Sequence, residues 1–141
     1  MNIYFACAIT GGRRDERHYQ AIVHSLIKSG HHVPTADLAD SNVVDLEQVI
    51  DPGEVYRRDT GWIRDCDALI AEISTPSHGV GYEIGYALNL GKPVICLHRA
   101  DAIVSKMILG NQDNNLFTSS YKTIDDAILF LRDKLDEIDN Q

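Results

Sequence analysis

Short, continuously apolar runs separated by helical stripes constrain this chain more than any other feature. Asn2 to Ile9, Ala68 to Ile73 and Pro93 to His98 are apolar at nearly every position rather than at every second one, the pattern of strands buried on both faces. Between them, apolar residues recur at helical spacing: Tyr19, Ile22, Val23, Leu26 and Ile27 within Asp15 to Ser29, then Val55, Trp62, Ile63 and Cys66 within Glu54 to Cys66. Val80, Ile84, Ala87 and Leu88 continue the pattern within Val80 to Leu90, and Gly30 and Gly91 stand where helices end. His31 to Thr35 and Leu116 to Tyr121 supply two weaker strands, and Ala102 to Leu109 a short helix. Thr123 with Asp126 opens a last helix carrying Ala127, Leu131 and Leu135 on its stripe. Ala36 to Gly53 is acidic and weakly patterned, with a helical turn or two around Val43 to Ile50.

This alternation predicts an α/β fold: a three-layer sandwich whose five-stranded, mainly parallel sheet is flavodoxin- or Rossmann-like, with helices on both faces. Parallel neighbours need crossover connections, and those are right-handed. The chain has 141 residues and no repeat, low-complexity stretch or linker, so residues 1–141 are expected to form one domain. Ligands of such sheets bind outside the carboxyl ends of the strands, where strand order reverses. Three loops qualify: Thr10 to Arg14, Ser74 to Gly79 and Arg99 to Ser105.

Composition removes several functions. Thirteen Lys and Arg against twenty-one Asp and Glu give a net charge of −8, which excludes a nucleic-acid partner gripped by clustered positive charge. A small anion needs only local donors, such as the N–H groups at a helix start. The run Ile3 to Ile9 is too short for a signal-peptide core or a membrane span, so the expectation is a cytoplasmic protein with no membrane partner. Cys7, Cys66 and Cys96 are an odd number without C-x-x-C spacing and read as reduced core thiols. The histidines make no i, i+4 pair and no G-x-S-x-G elbow follows a strand, so neither a metal, a cofactor nor a nucleophilic serine is expected.

Gly79-Val80-Gly81-Tyr82-Glu83-Ile84-Gly85 places three glycines and one carboxylate in the first turns of a helix after a Ser/Thr/Pro loop. The third glycine falls one position late for a dinucleotide fingerprint, leaving close backbone approach and anion binding, to which Ser77 adds a hydroxyl. Glu83 follows Val80 by three and precedes Ala87 by four, so it belongs to the core-facing side; a first-turn glutamate complementing the helix dipole fits the spacing equally. Asp59 likewise interrupts an apolar stripe, either as a functional carboxylate or as an ion pair with Arg57, Arg58 or Arg64. Two carboxyls ~5 Å apart are what a retaining glycosidic displacement needs. Tyr4, on the first strand, is either a core aromatic or a donor to a carboxylate. Arg13, after Gly11-Gly12, begins a solvated helix start or reaches a phosphate.

At these residues the sequence resembles the nucleoside 2-deoxyribosyltransferase superfamily, most closely its 2′-deoxynucleoside 5′-phosphate N-hydrolase branch. The anchors are Ile3-Tyr4-Phe5 leading to Ile9-Thr10-Gly11-Gly12-Arg13, the segment Asp59 to Trp62, and the block Thr75 to Gly85, with a further similarity at Ser105-Lys106-Met107-Ile108. The resemblance implies that Glu83 is the nucleophile, that Asp59 handles the proton of the departing base and that Tyr4 orients Glu83. It places Ile9, Thr10, Gly11, Gly12, Arg13, Asp37, Trp62, Ser77, Gly79, Ser105 and Met107 around a deoxynucleotide or deoxynucleoside. It also implies a homodimer in which Ser105 crosses the interface to hold the 5′-phosphate with Ser77. The chain departs from the hydrolases at Ala8 and Thr10, where they carry a serine and an arginine, and at Asp37, where they carry a histidine. Hydrolysis through a glutamyl deoxyribosyl-enzyme is therefore the expected reaction, with base exchange by a transferase and non-catalytic nucleotide binding as alternatives.

Overall fold

The structure is a computed structural model that describes residues 1–10, 12 and 14–140. Four strands, β1 (Ile3–Ala6), β2 (Ala68–Glu72), β3 (Val94–Arg99) and β4 (Leu116–Tyr121), form one wholly parallel sheet in the order β1-β2-β3-β4. The helices are α1 (Glu16–Lys28), α2 (Val43–Gln48), α3 (Pro52–Asp65), α4 (His78–Asn89), α5 (Lys106–Leu109) and α6 (Ile124–Asp139), with a 3-10 helix over Ala36–Ala39.

The expected strand over His31 to Thr35 is reduced to a single parallel bridge, Asn2 with His32, so the sheet has four strands rather than five. Ile3 donates to His32 O and His32 to Met1 O, but Pro34 has no N–H with which to extend the ladder, and the chain then turns into the 3-10 helix. Thr35 closes the edge instead: its hydroxyl accepts from Phe5 N at 2.9 Å and donates to Phe5 O at 2.8 Å.

Because side chains alternate across a pleated strand, the sheet feeds two cores. Ile3, Phe5, Ile70 and Leu97 pack under α1 and α6, while Tyr4, Ala6, Leu69, Ala71 and Cys96 pack under Ile63 of α3 and Val80, Ile84 and Ala87 of α4. Burying each large aliphatic side chain contributes roughly 1.5–3 kcal/mol. Helix starts are set by side chains. Asp51 accepts from Gly53 N and Glu54 N with Pro52 in the first turn of α3, Ser77 accepts from Val80 N, and Thr123 with Asp126 forms a capping box. Gly30 and Gly91, at φ +87° and +72°, supply the left-handed step that ends α1 and α4.

Asp15 occupies the cap position of α1 without capping it. Its carboxylate instead pairs with Arg99 and accepts from the Thr75 hydroxyl at 2.9 Å. Nearby, the fully buried Glu72 accepts from the Tyr121 hydroxyl at 2.9 Å and from the Ser74 hydroxyl, whose oxygen also accepts from Arg99 N. This network pins the loop after β2 to the ends of three strands and to α1, and so fixes where α4 begins.

No helix among the described residues is long and apolar enough to cross a membrane.

Candidate active site

Three elements bring Tyr4, Glu83 and Asp59 together at the carboxyl end of the sheet. The pleat of β1 that sends Ile3 and Phe5 toward α1 turns Tyr4 toward α3 and α4, where its side chain is fully buried. Its hydroxyl donates to Glu83 Oε1 at 2.7 Å, across 79 residues of sequence. Tyr4 is thus a core aromatic and a donor at once. Asp59, from α3, is near enough that its charge raises the pKa of both partners. The phenol is thus bonded to one carboxyl with a second nearby.

The two acids differ in what surrounds them. Burial pushes the Glu83 carboxyl up to about 7, against the Tyr4 hydrogen bond and with a further push from the charge on Asp59. Burial also raises Asp59, but Arg58 pulls it back, its Nε donating to Asp59 Oδ1 at 2.7 Å. The ion pair open as an alternative from the sequence is thus present, and it engages the carboxylate beside Glu83. Burial and the neighbouring carboxylates hold the Tyr4 phenol far above its ordinary value, so it stays a proton donor. Two carboxyls in one cavity titrate as a coupled pair, and one proton shared between them near neutral pH is what a nucleophile and a proton donor together require.

Both carboxyls line a cavity of about 410 Å³ whose wall also includes Cys7, Ile9, Thr10, Ser77 and Gly79. Val44, Glu47 and Ile50, from α2 and the turn after it, complete part of its wall. A second cavity of about 740 Å³ shares Thr10, Ser77 and Val80 with the first and is lined by Ser105, Met107 and Ile103. The junction lies at the start of α4, where Ser77 Oγ takes the N–H of Val80 at 3.3 Å and Ser77 O that of Gly81. A ligand that spans both cavities passes this helix start, whose partial positive charge suits an anion.

Other predicted residues fall outside the first cavity. Ser105 caps α5 through Met107 N and, with Met107, faces the second cavity only. Asp37 is exposed on the 3-10 helix and lines neither cavity, because that turn buries Leu38 and Ala39 instead. Trp62 lines neither and packs against the core below α3, with the Arg58 guanidinium 5.1 Å from its ring centroid. Gly12, at φ +122°, is exposed and lines neither. Gly11 and Arg13 lie outside the described residues. Sequence reasoning missed Glu47, which no periodicity singles out, and Glu72, a carboxylate in a buried strand whose only signal was its place in an apolar run. Among the described residues no group of His, Cys, Asp and Glu is arranged to hold a metal ion.

Comparison with known proteins adds a family. The model described as nucleoside 2-deoxyribosyltransferase matches residues 3–118. A Methanococcoides burtonii protein with the provisional name 2′-deoxynucleoside 5′-phosphate N-hydrolase 1 is 40% identical over 111 residues, 79% of this chain and 91% of its own. The 5-hydroxymethyl-dUMP N-hydrolase of Mus musculus is 38% identical over 120 residues, 82% of this chain and 69% of its own. Among solved structures, a CMP N-glycosidase of Clostridium botulinum superposes with a TM-score of 0.70 at 21% identity, covering 94% of this chain and 99% of that one, a likeness of fold.

Proposed function

The chain belongs to the nucleoside 2-deoxyribosyltransferase family, and from that premise we propose that it hydrolyses the N-glycosidic bond of 2′-deoxynucleoside 5′-monophosphates, releasing the free base and 2-deoxyribose 5-phosphate. The observation that carries this reading is the Tyr4 hydroxyl 2.7 Å from Glu83, beside Asp59, in one cavity of a chain whose relatives are named for this reaction.

In the first step the ionised Glu83 attacks the anomeric carbon. The carbon–nitrogen bond breaks, its electron pair leaves with the base, and Asp59 delivers a proton to the departing nitrogen. The sugar is then an ester of Glu83. Water attacks the same carbon, the Asp59 carboxylate takes its proton, and the ester bond returns its electron pair to Glu83. Tyr4 keeps its hydrogen bond to one Glu83 oxygen and so fixes which oxygen faces the sugar. The absent 2′-hydroxyl removes an electron-withdrawing group beside the oxocarbenium-like centre, which makes deoxy substrates easier to cleave.

The 5′-phosphate is held by Thr10, the Ser77 hydroxyl and the N–H of Gly79 at the start of α4, with Ser105 contributed by a second copy of the chain in a homodimer. The exposure of Ile103 (92%) and Met107 (84%) beside Ser105 supports such a contact, since it would cover an apolar surface.

The test is to incubate deoxynucleoside monophosphates and unphosphorylated deoxynucleosides with and without a second free base. Base and 2-deoxyribose 5-phosphate are expected from the monophosphates alone, and nothing from Glu83→Ala. Product that forms only when a second base is supplied would make the reaction an exchange. Undiminished release by Glu83→Ala would remove Glu83 from the chemistry.

A further inference from the structure

Arg58 touches the acid with one edge of its guanidinium and α2 with the other. Its Nε donates to Asp59 Oδ1 at 2.7 Å, while Nη2 lies 3.0 Å from Glu47 Oε1 as an ion pair that is not aligned as a hydrogen bond. One flat side of the cation rests on Trp62, one turn further along α3, at 5.1 Å from the ring centroid. All three charged side chains are largely shielded, Arg58 at 27% exposure, Glu47 at 16% and Asp59 at 15%. The pair is therefore screened less than a surface salt bridge.

The segment on the far side of this cation has little else to hold it. With six residues, α2 is too short to persist as an isolated helix. Val43 is its one buried residue, Leu46 within it is 50% exposed, and Val49, just past its end, is 83% exposed. Yet Val44, Glu47 and Ile50 form part of the wall around the two carboxyls. We propose that Arg58 is a positioning residue that couples the two: through Glu47 it latches α2 over the cavity, and through Nε it sets the orientation and charge of Asp59. Arg58 need not touch substrate to do either. This rests on the roles given above to Asp59 and Glu83 and extends them to substrate capture.

The groups facing Asp59 are Arg58 on its own helix, Glu47 from α2, Tyr4 from β1 and Glu83 from α4. Arg58 and Tyr4 favour the ionised form, and the two carboxylates disfavour it. Opposite consequences follow for the two arms of the latch. The reactive form keeps one proton on the Asp59–Glu83 pair, so activity falls as rising pH removes it. Removing the cation moves that alkaline limb up, and removing the Glu47 charge moves it slightly down.

The experiment measures kcat, KM and the pH profile of base release from a deoxynucleoside monophosphate, with amide hydrogen exchange over residues 43–50. Glu47→Gln is expected to raise KM by about three- to tenfold with kcat nearly unchanged, to speed exchange over 43–50, and to lower the alkaline limb. Arg58→Gln is expected to add a fall in kcat and to raise the limb. Arg58→Lys keeps the charge without the two-edged reach, so it restores the limb while KM stays high. Limbs that move together in Glu47→Gln and Arg58→Gln, or a KM and exchange rate unchanged in both, would overturn the coupling. Asp59→Asn, run alongside, separates the two readings: full activity in that variant removes Asp59 as the acid, whatever Arg58 does.

Discussion

Replacing Tyr4 with Phe tests the site at its centre, because it deletes the hydroxyl that donates to Glu83 over 2.7 Å and keeps the ring that fills the core beneath. A hydrogen bond to a charged group contributes about 1.5–3 kcal/mol, and one pKa unit corresponds to about 1.4 kcal/mol. The bond favours ionised Glu83, so its loss moves that carboxyl upward from about 7, by about one to two units. At pH 7 the ionised fraction then falls from about one half to between about one in ten and one in a hundred, and kcat/KM drops by about 5- to 50-fold. The assay is the pH dependence of kcat/KM for base release in both proteins. Reaction needs Glu83 ionised and Asp59 protonated, one proton for the pair, so activity falls as the pair loses that proton near pH 7, and this alkaline limb should shift up by the same one to two units. A uniform loss at every pH with the alkaline limb unmoved would refute the reasoning, since Tyr4 would then act through packing alone.

Three further outcomes follow from the same geometry. Asp59→Asn should lower kcat by about 10²- to 10⁴-fold, the range for a positioned proton donor, and the loss should shrink for a base that departs more easily; equal losses across leaving groups would argue against proton delivery. If the partner subunit's Ser105 completes the phosphate site, mixing and re-pairing inactive Glu83→Ala with weakened Ser105→Ala chains should restore about a quarter of the wild-type sites, and activity that stays at the sum of the separate variants would contradict a shared site. Burial holds Glu72 above its ordinary 4.5, so the folded chain keeps this proton more readily than the unfolded one. Its contribution to stability is complete below about pH 4.5 and is lost as pH rises through the raised value. Glu72→Gln should therefore flatten the decline of Tm between acid and alkaline buffer, and an unchanged decline would show that this ionisation is not linked to folding.

The strands and helices that carry the site were legible because their signals are local. Apolar runs mark β1, β2 and β3, and 3.6-residue stripes mark α1, α4 and α6. Two local signals act against the hydrophobic pattern. Asp51-Pro52 announces a helix start through a capping carboxylate and a fixed φ, and α3 begins there, two residues before the first position of the expected helix. Pro34 denies the second strand a donor, and it survives as one bridge. What sequence spacing cannot show is convergence. Glu83 and Asp59 were visible as carboxylates in apolar stripes, yet the Tyr4 bond that joins Glu83 to β1 beside Asp59 depends on how three elements pack. The same holds for Glu47, in a segment without periodicity, whose interest comes only from Arg58 eleven residues later.

The most direct test of a glutamyl intermediate is the stereochemistry at the sugar. With methanol competing against water, two successive displacements at one carbon should return a methyl 2-deoxyriboside 5-phosphate with the β configuration of the starting nucleotide, read by NMR before further change. The α-glycoside as the enzymatic product would mean a single displacement by solvent and would remove Glu83 as the group that bonds to the sugar.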